Sequence, residues 1–347
     1  MDANDSGDSR LALLTRWLRE DLGFNPAGIK PASADASFRR YFRVTRDNES
    51  FIIMDAPPVK EDLGPYLKVT ALLADIGLNV PWVLARDVSQ GLLLLTDLGT
   101  RLYLPELTDV AAAEGLYTSA FASLARMQSA GRAGAAALPP YDAALLTREM
   151  QLVADWFLAK HLQQPVSAAE RALLEQLFKF LVQTALAQPA TLVHRDFHSR
   201  NLMVTPESSP GIIDFQDAVN GPVTYDLVSL LKDCYVAWPA TTVREWALQY
   251  REMLLCAGFD LGADERKFLR WFDLMGLQRH IKVLGIFCRL YYRDGKSQYL
   301  HDLPRVLNYA YATSMAYPET AAFAHFIETR ILPEFPAAQA RALAASG

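Results

Sequence analysis

The sequence predicts an α+β protein with two lobes, a small strand-rich lobe over residues 1–98 and a larger, mainly helical lobe over residues 99–347. Three observations support this prediction. Short aromatic and β-branched runs separated by polar turns dominate the first part of the chain, whereas apolar spacings of three and four dominate the rest. The chain of 347 residues, 51% of them hydrophobic, is also long enough to bury two cores.

The small lobe begins with a helix and continues with strands. One helix face is formed by Leu11, Leu14, Trp17 and Leu18. The expected amino-terminal cap is Ser9 or Asp8. The elements that follow are two strands at 38–44 and 51–54, a polar turn between them at 46–49, a helix at 64–76 and a buried strand at 91–97. This order predicts a small sheet crossed by one helix.

Helical periodicity predicts that the larger lobe contains helices at 110–128, 145–162, 225–235, 241–256 and 264–292. At least two more helices are expected after Tyr299. The segment 131–140 is expected to be a flexible linker. Ser167 and Glu170 form a capping box that starts a further helix. The Ala-rich tail from Ala337 is expected to be a last helix that frays.

Composition and charge exclude several classes of protein. A net charge of −5 argues against a nucleic-acid binder that relies on phosphate neutralisation. Cys234, Cys256 and Cys288 lack the spacing of metal or redox sites and are expected to be buried small hydrophobic residues. The polar amino terminus differs from a secretory signal, and no apolar run approaches the roughly 18 residues that span a bilayer. We expect a cytoplasmic protein with no membrane, no nucleic acid and no obligate protein partner.

The most informative segment is His194–Asn201, which reads His-Arg-Asp-Phe-His-Ser-Arg-Asn and is followed by Asp214-Phe215-Gln216. Phosphoryl transfer needs a carboxylate that faces the acceptor hydroxyl, and oxygen ligands for magnesium. Asp196 supplies the first requirement, and Asn201 and Asp214 supply the second. Because a strand, a turn and a second strand connect Asn201 to Asp214, the sequence predicts that these two side chains lie side by side.

The ordinary alternative for each of these residues is structural. An isolated aspartate or asparagine between short strands is usually a turn residue or a cap. Three such positions in register, with His194 just before Asp196, are much harder to obtain by chance. The set as a whole therefore indicates a phosphoryl-transfer site.

From about residue 30 to at least residue 235, the chain resembles the aminoglycoside phosphotransferase and choline kinase family, whose fold is similar to that of protein kinases. His198 stands where protein kinases usually carry lysine and the small-molecule kinases commonly carry histidine. The segment 221–227 is similar to a family segment that ends in Asp-Leu, and no Ala-Pro-Glu triplet follows it. The resemblance implies a bilobal kinase-like fold, ATP and Mg²⁺ as cofactors, and a small-molecule substrate.

The resemblance also implies a role for each residue of the motif. Asp196 is the catalytic residue, which accepts the proton of the acceptor hydroxyl or orients that hydroxyl, an effect of about 10²–10⁴-fold in general-base catalysis. Asn201 and Asp214 hold magnesium against the phosphates of ATP. His194 and Asp226 are structural, and Asp226 anchors the catalytic loop because a buried carboxylate needs partners.

The nucleotide-binding half departs from the usual kinase pattern. There is no Gly-x-Gly-x-x-Gly loop, and the equivalent hairpin, residues 33–40, offers Ser37, Phe38 and Arg39 to the phosphates. Met54 occupies the position of the phosphate-binding lysine. The cations that can replace it are Arg39, Arg40, Arg43, Lys60 and Lys68. The candidates for adenine binding, each equally compatible with a core or turn position, are Leu95, Thr96 and Leu98.

Within the family, three stretches are similar to bacterial anomeric kinases that act on N-acetylmuramate and N-acetylglucosamine in peptidoglycan recycling. These stretches are residues 37–43, 54–58 and 278–287, and methionine at position 54 belongs to the likeness. The likeness implies transfer of the γ-phosphoryl group of ATP to the C1 hydroxyl of one or both amino sugars.

The candidate sugar contacts lie in two helical regions. The candidates on the predicted helix 264–292 are Arg279, His280, Lys282 and Arg289. The spacing lets Arg279 and Lys282 share a face, and an arginine fork matches the lactyl carboxylate of N-acetylmuramate. In an earlier region, Glu149, Asp155 and Trp156 are candidates for binding sugar hydroxyls and for stacking on the ring. Charged helix faces and buried aromatic residues are the ordinary alternatives.

Two other functions are also compatible with the sequence. The same fold can phosphorylate choline, another amino alcohol or an aminoglycoside, and a cationic acceptor requires carboxylates or aromatic rings over Asp196. A basic pocket favours the acidic sugar instead. The third interpretation is a nucleotide-binding regulatory module with little turnover, which Met54 slightly favours and the intact Asp196, Asn201 and Asp214 oppose.

Overall fold

The computed structural model describes residues 5–24, 28–34 and 38–346. The chain divides into two compact units. The first unit comprises Met1–Arg101 and Met203–Asp217, and the second comprises Leu102–Leu202 and Ala218–Gly347. The chain therefore leaves the first unit, returns to it for one short segment, and then completes the second unit.

The first unit is built on five strands, which are β1 Lys30–Ala34, β2 Arg40–Arg46, β3 Glu49–Asp55, β4 Val83–Asp87 and β5 Leu92–Thr96. They form an antiparallel sheet in the order β1-β2-β3-β5-β4. Its helices are α1 Asp5–Glu20 and α2 Leu63–Asp75. The strand-rich character predicted for the start of the chain is confirmed.

The turn between β2 and β3 forms at the predicted position. Arg46 pairs with Glu49, and Asp47 and Asn48 between them have φ angles of 52° and 69°. A two-residue turn with both φ angles positive matches the twist of the flanking strands, and aspartate and asparagine tolerate this conformation better than most residues.

Helix α1 begins earlier than the sequence predicts. Leu18 is fully buried and packs in one hydrophobic cluster with Val44 of β2. The helix starts at Asp5, so the expected cap at Ser9 or Asp8 was wrong. Acidic and polar residues can continue a helix at its amino-terminal end because the helix dipole favours negative charge there.

The second unit is mainly helical. Its α-helices are α3 Tyr103–Glu106, α4 Val110–Ala130, α5 Arg132–Ala135, α6 Ala143–Leu152, α7 Ala168–Leu186, α8 Tyr225–Leu231, α9 Ala240–Cys256, α10 Glu265–Asp294, α11 Leu303–Ala316, α12 Ala321–Phe326 and α13 Phe335–Ala344. Its π-helical segments are Val153–His161 and Ile327–Ile331, and its 3-10 segments are Ser297–Asp302 and Pro318–Thr320.

Two short strand pairs complete the description. Strands β6 Ala190–Val193 and β9 Val219–Pro222 pair in antiparallel fashion within the second unit. Strands β7 Leu202–Met203 and β8 Gly211–Ile212 pair where the chain returns to the first unit. The predicted strand, turn and strand between the two motifs is therefore present.

Most predicted helices are confirmed, and the differences are local. Both hydrogen bonds of the capping box between Ser167 and Glu170 are present at the start of α7. The expected flexible linker instead contains α5, whose Ala135 is buried. The Ala-rich tail forms α13, and burial of Ala338 and Ala342 shows that this helix contributes to the core rather than fraying.

Helices α6 and α10 approach each other closely at a glycine. A Cβ atom built on Gly285 would lie 2.3 Å from the backbone carbonyl carbon of Leu152, so any larger residue requires the helices to shift. Leu152 is also where α6 ends and the π-helical segment Val153–His161 begins, so the single helix predicted over 145–162 is divided. The crossing lies one helical turn from Glu149.

Two expectations from composition can be compared with the structure. Cys234 and Cys288 are buried, but Cys256 is exposed at the end of α9, so its expected burial was wrong. Within the described ranges, no helix is long and apolar enough to cross a membrane.

Candidate active site

A buried carboxylate anchors the start of the predicted catalytic loop, residues 194–201, which follows β6. Asp226, in the first turn of α8, is fully buried and accepts hydrogen bonds from the backbone N–H groups of His194 at 2.7 Å and Arg195 at 3.0 Å. Burial raises the pKa of Asp226 to about 7, although the two N–H donors lower it. Asp226 thus holds the two residues that precede Asp196.

A second buried carboxylate, Asp233, anchors the end of the loop. One oxygen accepts from the backbone N–H of Ser199 at 3.0 Å and from its hydroxyl at 2.6 Å, and the other accepts from the N–H of Tyr235 at 3.0 Å. Asp233 was missed from the sequence. Its signal is its spacing, because it lies two helical turns after Asp226 and just past the end of α8.

Asp196 lies in a turn that its neighbours stabilise. Its backbone N–H donates to Nδ1 of His194 at 3.2 Å, and its carbonyl oxygen accepts from the side-chain amide of Asn201 at 3.0 Å. Arg195 has a φ angle of 78°, a left-handed conformation that is strained for a residue with a side chain. The hydrogen bonds to Asp226 hold this conformation in place.

The electrostatic surroundings of Asp196 are cationic. Burial raises the pKa of this half-buried carboxyl, but four nearby groups together lower it below its ordinary value. In order of effect, these groups are Lys282, His198, Arg195 and Arg279. Burial lowers the pKa of His198, so this histidine is mostly neutral at pH 7. The groups that keep their positive charge are Lys282, Arg195 and Arg279. Asp196 is therefore a carboxylate at neutral pH.

Glu149 of α6 fixes two of these cations. Its Oε1 pairs with the guanidinium of Arg195 and lies 3.1 Å from Nζ of Lys282, while its Oε2 accepts from the hydroxyl of Tyr141. Nζ of Lys282 also donates to the hydroxyl of Tyr225 at 2.9 Å. Burial raises the pKa of Glu149, but Lys282 and Arg195 lower it below its ordinary value. Both carboxylate oxygens, which were expected to bind sugar hydroxyls, thus have protein partners.

The candidates on α10 lie in different surroundings. Arg279 is buried, and its Nη1 donates to Sγ of Cys234 at 3.2 Å. Nε2 of His280 lies 3.0 Å from the carbonyl oxygen of Lys232, and burial lowers the pKa of this histidine to about 3. His280 is therefore neutral at pH 7. Arg289 is half-buried further along the helix.

Asp155 and Trp156 lie in the π-helical segment after α6. Asp155 is exposed, and its carboxylate accepts a hydrogen bond from Gln151 at 3.5 Å. Trp156 is half-buried. Across the part of the chain that the structure describes, no hydrogen bond joins Asp155 to the catalytic loop.

Asp214 belongs to the first unit, whereas Asp196 and Asn201 belong to the second. The φ angle of Asp214 is 66°, so it occupies a left-handed turn, which aspartate tolerates. One carboxylate oxygen accepts from the side-chain amide of Gln216 at 2.9 Å and lies 3.6 Å from the guanidinium of Arg39.

Tyr66 of α2 is a further residue beside this turn that was missed from the sequence. It is buried, and its ring centroid lies 5.1 Å from that of Phe215. Burial raises the pKa of Tyr66 well above its usual range, while Arg39 lowers it and Asp214 raises it. The hydroxyl therefore stays protonated in the field of both charged groups.

The predicted phosphate-binding hairpin is only partly described. Ser37 lies outside the described residues. Phe38 is 59% exposed, and Nζ of Lys60 lies 4.3 Å from the centre of its ring. The hairpin therefore presents an aromatic ring and a cation at the surface of the first unit.

Met54 is fully buried in β3, in the position predicted for the missing lysine. Among the cations that can replace that lysine, Arg40 and Arg43 each pair with a carboxylate of the sheet unit. Arg39 pairs with Asp214, the predicted metal ligand. This pairing favours Arg39 as the replacement.

The residues expected at the adenine site lie at the end of β5. Leu95 is buried, and the backbone N–H of Thr96 donates to the carbonyl oxygen of Trp82 at 3.0 Å. The hydroxyl oxygen of Thr96 accepts from the N–H of Trp82 at 2.8 Å. A Cβ atom on Gly211 would lie 2.9 Å from Leu98, so the Leu98 side chain packs on β8.

An anchored loop that carries Asp196 and Asn201, together with the Asp-Phe-Gln turn, is typical of kinase-type phosphotransferases. A sequence profile described as the phosphotransferase enzyme family matches residues 28–269, which is well over half of the chain. The chain belongs to this family, and the predicted enzyme class, a phosphotransferase, is confirmed.

Two relatives in bacteria carry the name N-acetylmuramate/N-acetylglucosamine kinase. The protein of Pseudomonas aeruginosa is 44% identical over 326 residues, which cover 91% of this chain and 95% of the relative. The protein of Neisseria meningitidis serogroup B is 43% identical over 312 residues, which cover 89% of this chain and 92% of the relative.

The fold is similar to that of solved aminoglycoside phosphotransferases. The GDP complex of wild-type aminoglycoside 2'-phosphotransferase-IIIa matches with a TM-score of 0.59 and 17% sequence identity, over 86% of this chain and 99% of that chain. The predicted kinase-like α+β fold is therefore confirmed.

Proposed function

We propose that this protein transfers the γ-phosphoryl group of ATP to the C1 hydroxyl of N-acetylmuramate, N-acetylglucosamine or both, in peptidoglycan recycling. The observation that carries the proposal is 44% and 43% identity, over about nine tenths of the chain, to relatives named as kinases of these two sugars. The C1 acceptor position is what the resemblance to anomeric kinases implies. It suits a carboxylate base of modest strength, because an anomeric hydroxyl is more acidic than an ordinary sugar alcohol.

The charges around Asp196 favour this acceptor over the alternative. A cationic acceptor such as choline requires carboxylates or an aromatic cage. Lys282, Arg195 and Arg279 instead lower the pKa of Asp196, and cationic side chains that act on this carboxyl suit an anionic sugar better than a cationic acceptor.

The proposed reaction assigns one proton and two bonds. Asp196 accepts the proton of the acceptor hydroxyl while the hydroxyl oxygen forms a bond to the γ-phosphorus. The bond between the γ-phosphorus and the β,γ-bridging oxygen breaks, and its electron pair leaves with ADP. Asp226 and Asp233 contribute by fixing both ends of the loop that carries Asp196.

The residues present fit a magnesium ion. Asn201 uses its side-chain nitrogen to bind the carbonyl of Asp196, which directs the amide oxygen away from that bond. No group of three or more His, Cys, Asp or Glu side chains with metal-site geometry occurs in the described part of the chain. Mg²⁺ bound by one or two protein oxygens with phosphate and water agrees with both observations. We assign these ligands to Asn201 and Asp214, and bound Mg²⁺ would neutralise charge on the phosphoryl oxygens.

Arg39 is assigned to the phosphates in place of the missing lysine. Its side chain is 9% exposed and lies 3.6 Å from Asp214, so a phosphate bound beside Asp214 would meet a cation that is already in place.

The test is a direct assay of ATP-dependent phosphorylation. ADP release is measured with N-acetylmuramate, N-acetylglucosamine, choline and ethanolamine as acceptors, and the product is identified as the 1-phosphate by ³¹P and ¹H NMR. We expect turnover with at least one amino sugar and a loss of about 10²–10⁴-fold in Asp196→Asn. Turnover with choline or ethanolamine but neither sugar would contradict the proposal.

A further inference from the structure

Arg279 differs from the other cations near Asp196 in its partners. Arg279 is only 3% exposed. Within the described ranges, its side chain forms one hydrogen bond, from Nη1 to Sγ of Cys234 at 3.2 Å. A thiol is a weak acceptor, whereas a guanidinium carries five donors in a planar fork. Most of the hydrogen-bonding capacity of Arg279 is therefore unused.

The two nitrogens of Arg279 that form no hydrogen bond are not completely sealed from solvent. These nitrogens are Nε and Nη2, and within the described ranges neither has a hydrogen-bond partner. A buried positive charge is costly unless a negative group and hydrogen bonds compensate it. The fork of Arg279 is thus suited to receiving an anion.

The neighbouring carboxylates have other roles. The charges of Asp196 and Asp233 both act on Arg279. Asp233, however, already accepts three hydrogen bonds from Ser199 and Tyr235, and Asp196 is the catalytic residue. Neither forms a hydrogen bond with Arg279 within the described residues.

The other cations near Asp196 are already paired. Arg195 and Lys282 share the carboxylate of Glu149, and Lys282 also donates to Tyr225. His280, the neighbour of Arg279 on α10, is not a cation at pH 7, and its Nε2 lies 3.0 Å from the carbonyl oxygen of Lys232. Of these candidates, Arg279 has the fork that can accept a new anionic partner.

We infer that Arg279 is a specificity-determining residue, whose guanidinium binds the carboxylate of the acceptor and so favours N-acetylmuramate over N-acetylglucosamine. The inference rests on the proposed function. The lactyl group of N-acetylmuramate supplies a planar carboxylate that matches the fork, and N-acetylglucosamine lacks it. The transferred phosphoryl group is a second anion that this cation could contact, and the experiment separates the two sources.

The experiment pairs a change in the protein with a change in the substrate. Wild-type, Arg279→Gln and Arg279→Lys enzymes are assayed with N-acetylmuramate, its uncharged carboxamide and N-acetylglucosamine. The matched control is Arg270→Gln, since Arg270 lies on the same helix and pairs with Glu319 at the surface. Thermal unfolding checks that each variant is folded.

If Arg279 binds the carboxylate, Arg279→Gln lowers kcat/KM for N-acetylmuramate by about 10- to 100-fold, mainly through KM, and changes that for N-acetylglucosamine less than about threefold. Arg279→Lys recovers part of the loss, and the Arg270 control changes neither value. Wild-type enzyme loses a similar factor with the carboxamide, and combining both changes causes little additional loss. The wild-type carboxamide comparison tests recognition of the carboxylate, and Arg279→Lys, which keeps the positive charge, tests the residue if Arg279→Gln fails to fold.

Three results would overturn the inference. Equal losses for both sugars assign Arg279 to the phosphoryl group or to stability, and no loss with either sugar shows that it binds neither anion. Equal wild-type activity with the carboxamide and the acid excludes recognition of the carboxylate. Absence of turnover by the wild-type enzyme with either sugar is a different result, since it rejects the proposed function and the inference with it.

Discussion

Replacing Asp233 tests whether the end of the catalytic loop depends on one buried carboxylate. Asp233→Ala removes the acceptor of three hydrogen bonds, from the N–H and hydroxyl of Ser199 and from the N–H of Tyr235. A bond to a charged acceptor contributes about 1.5–3 kcal/mol, and each buried donor left without a partner costs about 1–3 kcal/mol. Because such effects are not additive, we expect the free energy of unfolding to fall by about 3–5 kcal/mol.

A graded series makes this prediction quantitative. Asp233→Asn keeps one acceptor oxygen but turns an N–H group toward a donor, so we expect a loss of about 1–3 kcal/mol. Ser199→Ala removes the hydroxyl and leaves both backbone bonds, so we expect about 1 kcal/mol. Since a displacement of about 1 Å can reduce a rate about 100-fold, kcat should fall about 10- to 100-fold in Asp233→Ala and much less in Ser199→Ala.

The assay combines denaturant unfolding with amide hydrogen exchange. In Asp233→Ala, the amides of Ser199 and Tyr235 should lose protection, while the amide of His194, which Asp226 holds, should keep most of its protection. Unchanged exchange at Ser199 and Tyr235, or a larger loss of stability in Ser199→Ala than in Asp233→Ala, would refute the reasoning.

Three further predictions concern packing and charge. Gly285→Ala should destabilise the protein by about 1–3 kcal/mol in thermal unfolding, because the new Cβ atom meets the backbone of Leu152. Gly276→Ala on the same helix, where the nearest atom is 3.4 Å away, should be neutral or slightly stabilising. Equal effects of the two substitutions would contradict the close crossing. Lys282→Met removes the largest cationic influence on Asp196 and so raises the pKa of that carboxyl, which should move the acid limb of kcat/KM to higher pH, and an unmoved limb would count against this assignment. Burial lowers the pKa of His161 to about 4, so below pH about 6.5 the unfolded chain binds more protons than the folded protein. The free energy of unfolding should therefore fall by about 2–3 kcal/mol as the pH drops toward 4. Denaturation of His161→Leu across this range should lack this pH-dependent loss of stability.

The elements that the sequence predicted correctly depend on residues close together in the chain. The turn at Asp47 and Asn48 requires two adjacent residues that tolerate positive φ angles, and both are present. The capping box needs only Ser167 and Glu170. Local patterns of this kind determine their own geometry, so the sequence is sufficient to find them.

The features that were missed depend on which distant segments meet. Glu149 was a candidate for binding sugar hydroxyls, yet its partners Arg195 and Lys282 come from a loop and a helix far along the chain. Gly285 lies in a predicted helix, and no residue near it in the sequence indicates its close contact with Leu152. The spacing of residues in the sequence does not predict these contacts, because they depend on how α6 packs against α10.

The site itself was divided in the same way. The loop that carries Asp196 could be identified because its motif is contiguous, and Asp226 was identified from the resemblance. Arg39 could only be offered as one of five candidates to replace the missing lysine, since its pairing with Asp214 depends on a hairpin returning to a later turn.

The first unit consists of two separate stretches of sequence, and this limits how the protein can be divided into fragments or chimeras. Within that unit, the backbone carbonyl of Asn79 accepts a hydrogen bond from the N–H of Ile212 at 2.8 Å, and its side-chain amide donates to the hydroxyl of Thr205 at 3.1 Å. The returning segment 203–217 is therefore hydrogen-bonded to the first part of the unit. A gene fragment that stops at Arg101 omits those partners, and one that starts at Leu102 carries them without their sheet. Chimeras between this enzyme and its relatives must therefore transplant both stretches together, because no single splice point separates the halves.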